Sequence, residues 1–234
     1  MDSMWQKPIP KSGEIEDWQK HQFIASPLVP IVAGNGIILD MQYPKLGFTH
    51  GEEEALARVE VAEMLQEAAA KLPQGYQLVV WDAWRPFALQ KELFESYRLQ
   101  IIEDFNLKDL PEEEQVREIS KFVANPVANV TLPPAHTTGG AVDVTLLGPD
   151  GPLEMGTDFD AFTDKTETTY FEDATEGKDL EIRNNRRLLY HLMTSVGFTN
   201  LPSEWWHYEY GDRNWGALTG EPALYEGIFE KPKK

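Results

Sequence analysis

Residues 136–146 read His136-Thr137-Thr138-Gly139-Gly140-Ala141-Val142-Asp143-Val144-Thr145-Leu146. Val142, Val144 and Leu146 alternate with Asp143 and Thr145, the period of a strand with one face buried. Asp143 is therefore expected on the face opposite Val142 and Val144. Gly139-Gly140 in front of that strand is a place for the chain to reverse, because glycine reaches backbone angles closed to other residues. The reversal matters for the two ionisable ends. Fully extended, the chain would hold His136 and Asp143 roughly 23 Å apart at about 3.3 Å per residue. Folded back at the glycines, an imidazole nitrogen and a carboxylate oxygen can meet. Spacing alone leaves open a loop histidine and an aspartate that caps a turn.

Working outward, residues 52–72 follow a helical period, with Ala57, Val61, Met64, Leu65, Ala68 and Leu72 on one stripe and Glu52, Glu53 and Glu54 at the N-terminal end. Gly36–Tyr43 reads as a strand entering a turn at Pro44. Tyr76–Asp82 reads as a second strand, and Pro86 starts a helix carrying Leu89, Leu93, Phe94, Tyr97 and Ile101, so Asp82–Arg85 lie at a strand-to-helix turn. A helix is expected over Glu112–Val123 and another over Leu180–Val196, stopped by Gly197. Gly148–Gly177, rich in Asp, Thr and Gly, suggests a long ordered loop of the kind that lines sites. Glu204–Tyr210 reads as an aromatic strand. Helices and short strands without regular βαβ alternation predict an α+β domain with a small, mainly antiparallel sheet. The expected division is an irregular leader over 1–35, with Pro8, Pro10, Pro27 and Pro30, packed on one catalytic domain over 36–234.

Composition narrows the function. The 234 residues carry a net charge of −18, which repels phosphate backbones and makes nucleic acid a poor partner. No run of about 18 apolar residues exists, so no membrane span is expected. Met1–Pro8 shows no basic stretch followed by an apolar one; a cytoplasmic protein is the expectation, a periplasmic one requiring an export signal. With no cysteine, disulfides, thiolate nucleophiles and Cys-type zinc sites are excluded. Any metal must be held by His, Asp and Glu, and the histidines are five: His21, His50, His136, His191 and His207. His21, in the leader, and His191, within a helix, read as structural, and His50 matches no functional pattern.

Three clusters pair ionisable residues with stiff neighbours: Trp81–Pro86, His136–Asp143 and Glu204–His207. Glu204 and His207 share a face on a helix but not on a strand. The aromatic neighbours favour strand, so Glu204 is expected at a bend entering it, near a metal without ligating it. A purely structural aromatic strand is the alternative. Together His136, Asp143 and His207 supply three ligands, leaving a fourth position for water, with Glu204 as a free carboxylate. That is the composition of a hydrolytic zinc site. Arg85 at its turn could stabilise an oxyanion, or simply pair with Asp82.

At these residues the chain resembles the D-alanyl-D-alanine dipeptidases, the zinc dipeptidases of the VanX type. Asp82-Ala83-Trp84-Arg85-Pro86 is similar to their Asp-Gly-Tyr-Arg-Pro segment, His136–Asp143 to their Ser-x-His-x-x-Gly-x-Ala-x-Asp segment, and Glu204–His207 repeats Glu-Trp-Trp-His. Asp40–Tyr43, Met155–Asp160 and Asn185–Leu189 leading to Gly197-Phe198 match in the same order. The resemblance implies one zinc per chain held by His136, Asp143 and His207, with Glu204 as general base and acid and Arg85 stabilising the transition state. It implies a small dipeptide substrate, with Tyr43 and Asp160 lining the pocket and Asp160 facing the ammonium group. It also implies the α+β fold shared with D,D-carboxypeptidases. The departures are Pro134 in place of the family's Ser and Thr137-Thr138 in place of Ser-Arg, which bear on polar contacts to the substrate. Two further readings are a peptidase acting on longer wall peptides and a silent module that only binds them.

Overall fold

The computed structural model describes residues 2–12, 15, 17–120, 123, 126 and 129–232. In chain order the elements are α1 (Asp2–Gln6), β1 (Leu28–Pro30), β2 (Ile37–Leu39), α2 (Gln42–Lys45), β3 (Leu56–Arg58), α3 (Val59–Lys71), β4 (Gln77–Asp82), α4 (Phe87–Asp104), α5 (Glu112–Ile119), β5 (Ala141–Gly148), β6 (Gly151–Pro152), α6 (Gly177–Thr194), β7 (Thr199–Asn200), β8 (His207–Glu209) and α7 (Arg213–Thr219). A six-stranded sheet runs β2-β4-β5-β8-β7, with β6 also on β5. Within this sheet β2 and β4 pair in parallel and the other pairings are antiparallel. The α+β class expected from the sequence is the class observed.

Leu65 and Val61 of α3, Leu78 and Val80 of β4, Val142, Val144 and Leu146 of β5, and Leu188, Leu189 and Leu192 of α6 are buried in one apolar cluster. Each such side chain contributes about 1.5–3 kcal/mol relative to exposure. A second cluster joins Tyr43 to Leu89, Leu93, Phe94 and Ile101 of α4 and Ile119 of α5. The helix α6 stops where Gly197 takes φ +109°, a left-handed conformation that glycine adopts without strain.

Several expectations need correcting. The period over 52–72 is helical only from Val59, because β3 is drawn into an extended two-stranded sheet with β1, Leu28 opposite Arg58. There Leu56 O accepts from Trp84 N and Arg58 N donates to Gly139 O, tertiary bonds that outweigh helical periodicity. The leader is accordingly not irregular throughout, since it contributes α1 and β1. The strand β5 is buried on both faces, with Asp143 and Thr145 as enclosed as Val142 and Val144, because the site covers its second face. The aromatic strand begins only at His207, and residues 202–206 form turns. The helix expected over Glu112–Val123 is present over Glu112–Ile119; residues 121 and 122 lie outside the described set. Among the described residues no helix is long and apolar enough to cross a membrane.

Candidate active site

The reversal before β5 is a short 3-10 turn, Ala135–Thr138, closed by Gly139 at φ +73°. A Cβ at Gly139 would run into Leu28, so glycine is required there by conformation and by packing. The turn returns His136 to the head of β5, where its Nε2 lies 3.3 Å from Asp143 Oδ1. Register then brings the third member: Asp143 is opposite His207 across the β5–β8 ladder. His207 Nδ1 is 3.0 Å from the same Asp143 oxygen and 3.1 Å from His136 Nε2. Three ligand atoms thus converge among buried residues.

Each imidazole is held by its far nitrogen. His136 Nδ1 donates to Ala83 O at 2.8 Å, which leaves Nε2 to face the centre. His207 Nε2 donates to Glu209 Oε1 at 2.8 Å, which leaves Nδ1 to face it. Burial disfavours a charged His207, yet Glu209 and Asp143 against its two nitrogens hold its pKa well above the ordinary value. Burial raises the Asp143 carboxyl, but His136 and His207 hold it well below the usual carboxylate range. The space between the three atoms therefore attracts positive charge. A tetrahedral ion with bonds of about 2.0 Å needs ligand atoms about 3.3 Å apart, close to the spacing found here. The donor set fits a zinc-like cation, and the residues that could hold it are His136, Asp143 and His207.

Glu204 sits on the turn before β8, as expected. Its N–H donates to Leu201 O, its carbonyl accepts from His207 N, and Asn200 Nδ2 donates to the carbonyls of Glu204 and His207. Its carboxylate lies 3.7 Å from His207 Nδ1, beside the convergence point but outside it. Burial, with Asp143 and Asp160 nearby, pushes its pKa up to about 8 against the opposing pull of His207 and Arg85. A cation in the adjacent site favours the carboxylate form.

Arg85 makes the ion pair with Asp82 that the sequence offered and also reaches the edge of the convergence point. Its Nε donates to Asp82 Oδ2 at 2.9 Å, a buried ion pair, while Nη1 donates to Gln90 Oε1 and Nη2 to the Tyr43 hydroxyl. Nη2 also stands 3.7 Å from Asp143 Oδ2, at the edge of the convergence point. The Tyr43 hydroxyl donates onward to Asp160 Oδ2 at 2.9 Å, and Tyr97 donates to the same oxygen. Burial and then Asp143 push the Asp160 carboxyl up to about 6, with Arg85 and the two tyrosines opposing. Asp160 has φ +54°, a left-handed backbone conformation uncommon outside glycine. A cavity of about 1050 Å³ joins the two ends, with His136, Asp143, His207 and Glu204 at one and Tyr43, Tyr97 and Asp160 at the other.

Several participants went unread in the sequence. Glu209 is fully buried and two residues beyond His207, so strand parity alone would have placed it on the same side. Tyr97 reads as one more apolar residue of α4, and nothing in its spacing reveals its hydroxyl contact. Thr137 and Thr138, which replace polar family residues, spend their hydroxyls on Pro134 O and Ala135 O within their own turn. His191 donates to Lys7 O and tethers the leader, whereas His50 pairs with Glu92 at the surface.

The family model described as D-Ala-D-Ala dipeptidase matches residues 47–223. A D-alanyl-D-alanine dipeptidase of Synechocystis is 28% identical over 211 residues, covering 83% of this chain and 85% of the relative. One of Enterococcus faecalis is 32% identical over 155 residues, covering 64% and 70%. The crystal structure of a vancomycin-resistance D,D-pentapeptidase with Zn(II) aligns over 83% of this chain and 91% of its own at 17% identity and a TM-score of 0.40, too loose a match to add weight.

Proposed function

The chain belongs to the D-alanyl-D-alanine dipeptidase family, and on that basis we propose that it hydrolyses D-alanyl-D-alanine with one zinc ion held by His136, Asp143 and His207. The observation that carries this reading is the meeting of His136 Nε2, Asp143 Oδ1 and His207 Nδ1 within 3.0–3.3 Å, with a free carboxylate beside them. Zinc bound there supplies a Lewis acid and a water acidified to a pKa of about 7.

The remaining steps belong to the chain's own groups. Asp160, braced by Tyr43 and Tyr97, receives the dipeptide's ammonium group and so orients its carbonyl toward the metal end. Glu204 takes the proton of the attacking water and returns it to the leaving amine, a role suited to a carboxylate adjacent to the ligands but not among them. Arg85, fixed by Asp82, Gln90 and Tyr43 with its Nη2 3.7 Å from Asp143 Oδ2, stabilises the oxyanion as the carbonyl becomes tetrahedral. The pair with Asp82 fixes the guanidinium before substrate arrives, so little reorganisation accompanies the reaction.

The cavity volume of about 1050 Å³ favours one second reading, cleavage of longer wall peptides. Both are decided by hydrolysis of D-Ala-D-Ala, L-Ala-L-Ala, the mixed dipeptides and a stem pentapeptide, after chelation and again after zinc is restored. The proposal expects zinc-dependent cleavage of D-Ala-D-Ala in preference to the rest. Cleavage of the pentapeptide with the dipeptide left intact favours the second reading, and no zinc-dependent cleavage of any peptide contradicts both.

A further inference from the structure

The segment Asn185-Arg186-Arg187 of α6 touches neither the metal end nor the cavity floor, yet Arg186 is 2% exposed. Its guanidinium makes no ion pair among the described residues. Instead Nε donates to Met155 O at 2.8 Å, Nη2 to Lys165 O at 2.7 Å and Nη1 to Glu167 O at 2.7 Å, while its flat faces lie 4.8 Å from the Phe171 ring and 5.6 Å from the Trp205 ring. A buried charge satisfied only by neutral carbonyls and rings is costly, and it is tolerated where its geometry accomplishes something a hydrophobic side chain would not. Here the three carbonyls belong to the two ends of one loop. Met155 is five residues before Asp160 and Lys165 five after it, so a single planar fork closes the neck of the loop whose tip carries the ammonium-binding carboxylate. Asn185 Nδ2 adds a fourth bond at the same neck, to Glu154 O.

We infer that Arg186 is a positioning residue that clips the 155–165 loop shut at its neck and thereby sets where Asp160 stands in the cavity. This rests on the proposed role of Asp160 for the substrate's ammonium group, but the clip itself does not. Closing a loop at its ends removes most of its freedom at a small entropic cost to the native state, and among the described residues no other side chain hydrogen-bonds to both ends. Trp205 Nε1 donates to Thr157 Oγ1 and ties the loop to the Glu204 turn, a link that remains when the clip is opened.

The test uses Arg186→Met and Arg186→Lys in the zinc-loaded full chain. Lys165 has an exposed side chain and its carbonyl, held by Arg186, is the bond trypsin would cut. Cleavage after Lys165, read by mass spectrometry, is expected to accelerate about tenfold or more in Arg186→Met, since local proteolysis follows the opening of the segment. KM for D-Ala-D-Ala is expected to rise about tenfold with kcat within about threefold, bound zinc unchanged, and Arg186→Lys intermediate in both. In an Asp160→Asn background the Arg186→Met change should add nothing further to KM, because both act on one contact. Should Arg186→Met fail to fold, Arg186→Lys and Asn185→Ala carry the same readings. Unchanged cleavage at Lys165 overturns the clip. A KM rise that persists undiminished in the Asp160→Asn background overturns its action through Asp160. If the wild type hydrolyses no dipeptide, the proposed function fails, while the trypsin result still decides the clip.

Discussion

At the metal end of the cavity, His136, Asp143 and His207 come from a capped turn and two paired strands, and both imidazoles are locked by a second partner on β4's exit or β8 itself. At the end proposed to receive the ammonium group, Tyr43 comes from the four-residue α2, Tyr97 from α4, and Asp160 from a loop residue at φ +54°, joined through one carboxylate oxygen. The first is set by sheet register, the second by side-chain hydroxyls and a loop neck. A metal site demands ligand positions good to a few tenths of an ångström, which backbone pairing supplies. Recognition of an ammonium group tolerates more, and a loop can be changed without disturbing the sheet. On the proposed function, the difference separates chemistry from specificity, with the strands carrying the reaction and the loop choosing what reacts.

Breaking the metal end should have the largest consequences. Glu204→Ala is expected to lower kcat by about 10²–10⁴ with bound zinc unchanged, as checked by steady-state rates beside metal analysis. Glu209→Gln loosens the imidazole it orients, and zinc affinity measured by chelator competition should fall about 10- to 100-fold. The ammonium end should yield smaller, KM-centred effects. Asp160→Asn is expected to raise KM for D-Ala-D-Ala about 10- to 100-fold, the loss of one charge-assisted contact. Its pH behaviour sharpens the contrast. The carboxyl sits at about 6 in the folded protein against an ordinary 3.8, so the native state holds that proton more tightly than the unfolded chain. The stability it confers is complete below the ordinary value and is lost as the pH rises through about 6. Above that pH, Asp160→Asn should therefore melt higher than wild type even as it binds dipeptide less well. Wild-type KM should climb as the pH falls below about 6 and that of Asp160→Asn should not. Tyr97→Phe removes one of two hydroxyls on Asp160 and should raise KM only about 2- to 10-fold.

The same contrast governs what was legible in the sequence. His136, Gly139, Gly140 and Asp143 are close in the chain, and the reversal between them could be anticipated from glycine alone. Glu204 stands at the bend that its three-residue spacing from His207 required. The helix over 180–196 and the strand over 76–82 follow from periodicity and appear nearly at those bounds. What escaped depended on contacts between distant segments. Leu56–Arg58 carries a helical pattern yet pairs with the leader, because Arg58 donates to Ser26, Thr138 and Glu226 carbonyls that sequence cannot bring together. Asp143 and Thr145 look solvent-facing until the site that covers them is assembled. Tyr97 and Arg186 act at Asp160 from 63 and 26 residues away, and no local pattern announces either.

The most direct test is calorimetric titration of zinc into the metal-free protein, for the wild type and for His136→Ala, with folding verified by circular dichroism. The expected result is one tightly bound zinc per wild-type chain, restored D-Ala-D-Ala hydrolysis in step with occupancy, and loss of both in His136→Ala. Tight stoichiometric binding that survives in His136→Ala, or hydrolysis that persists in the chelated wild type, would contradict a reaction run at His136, Asp143 and His207.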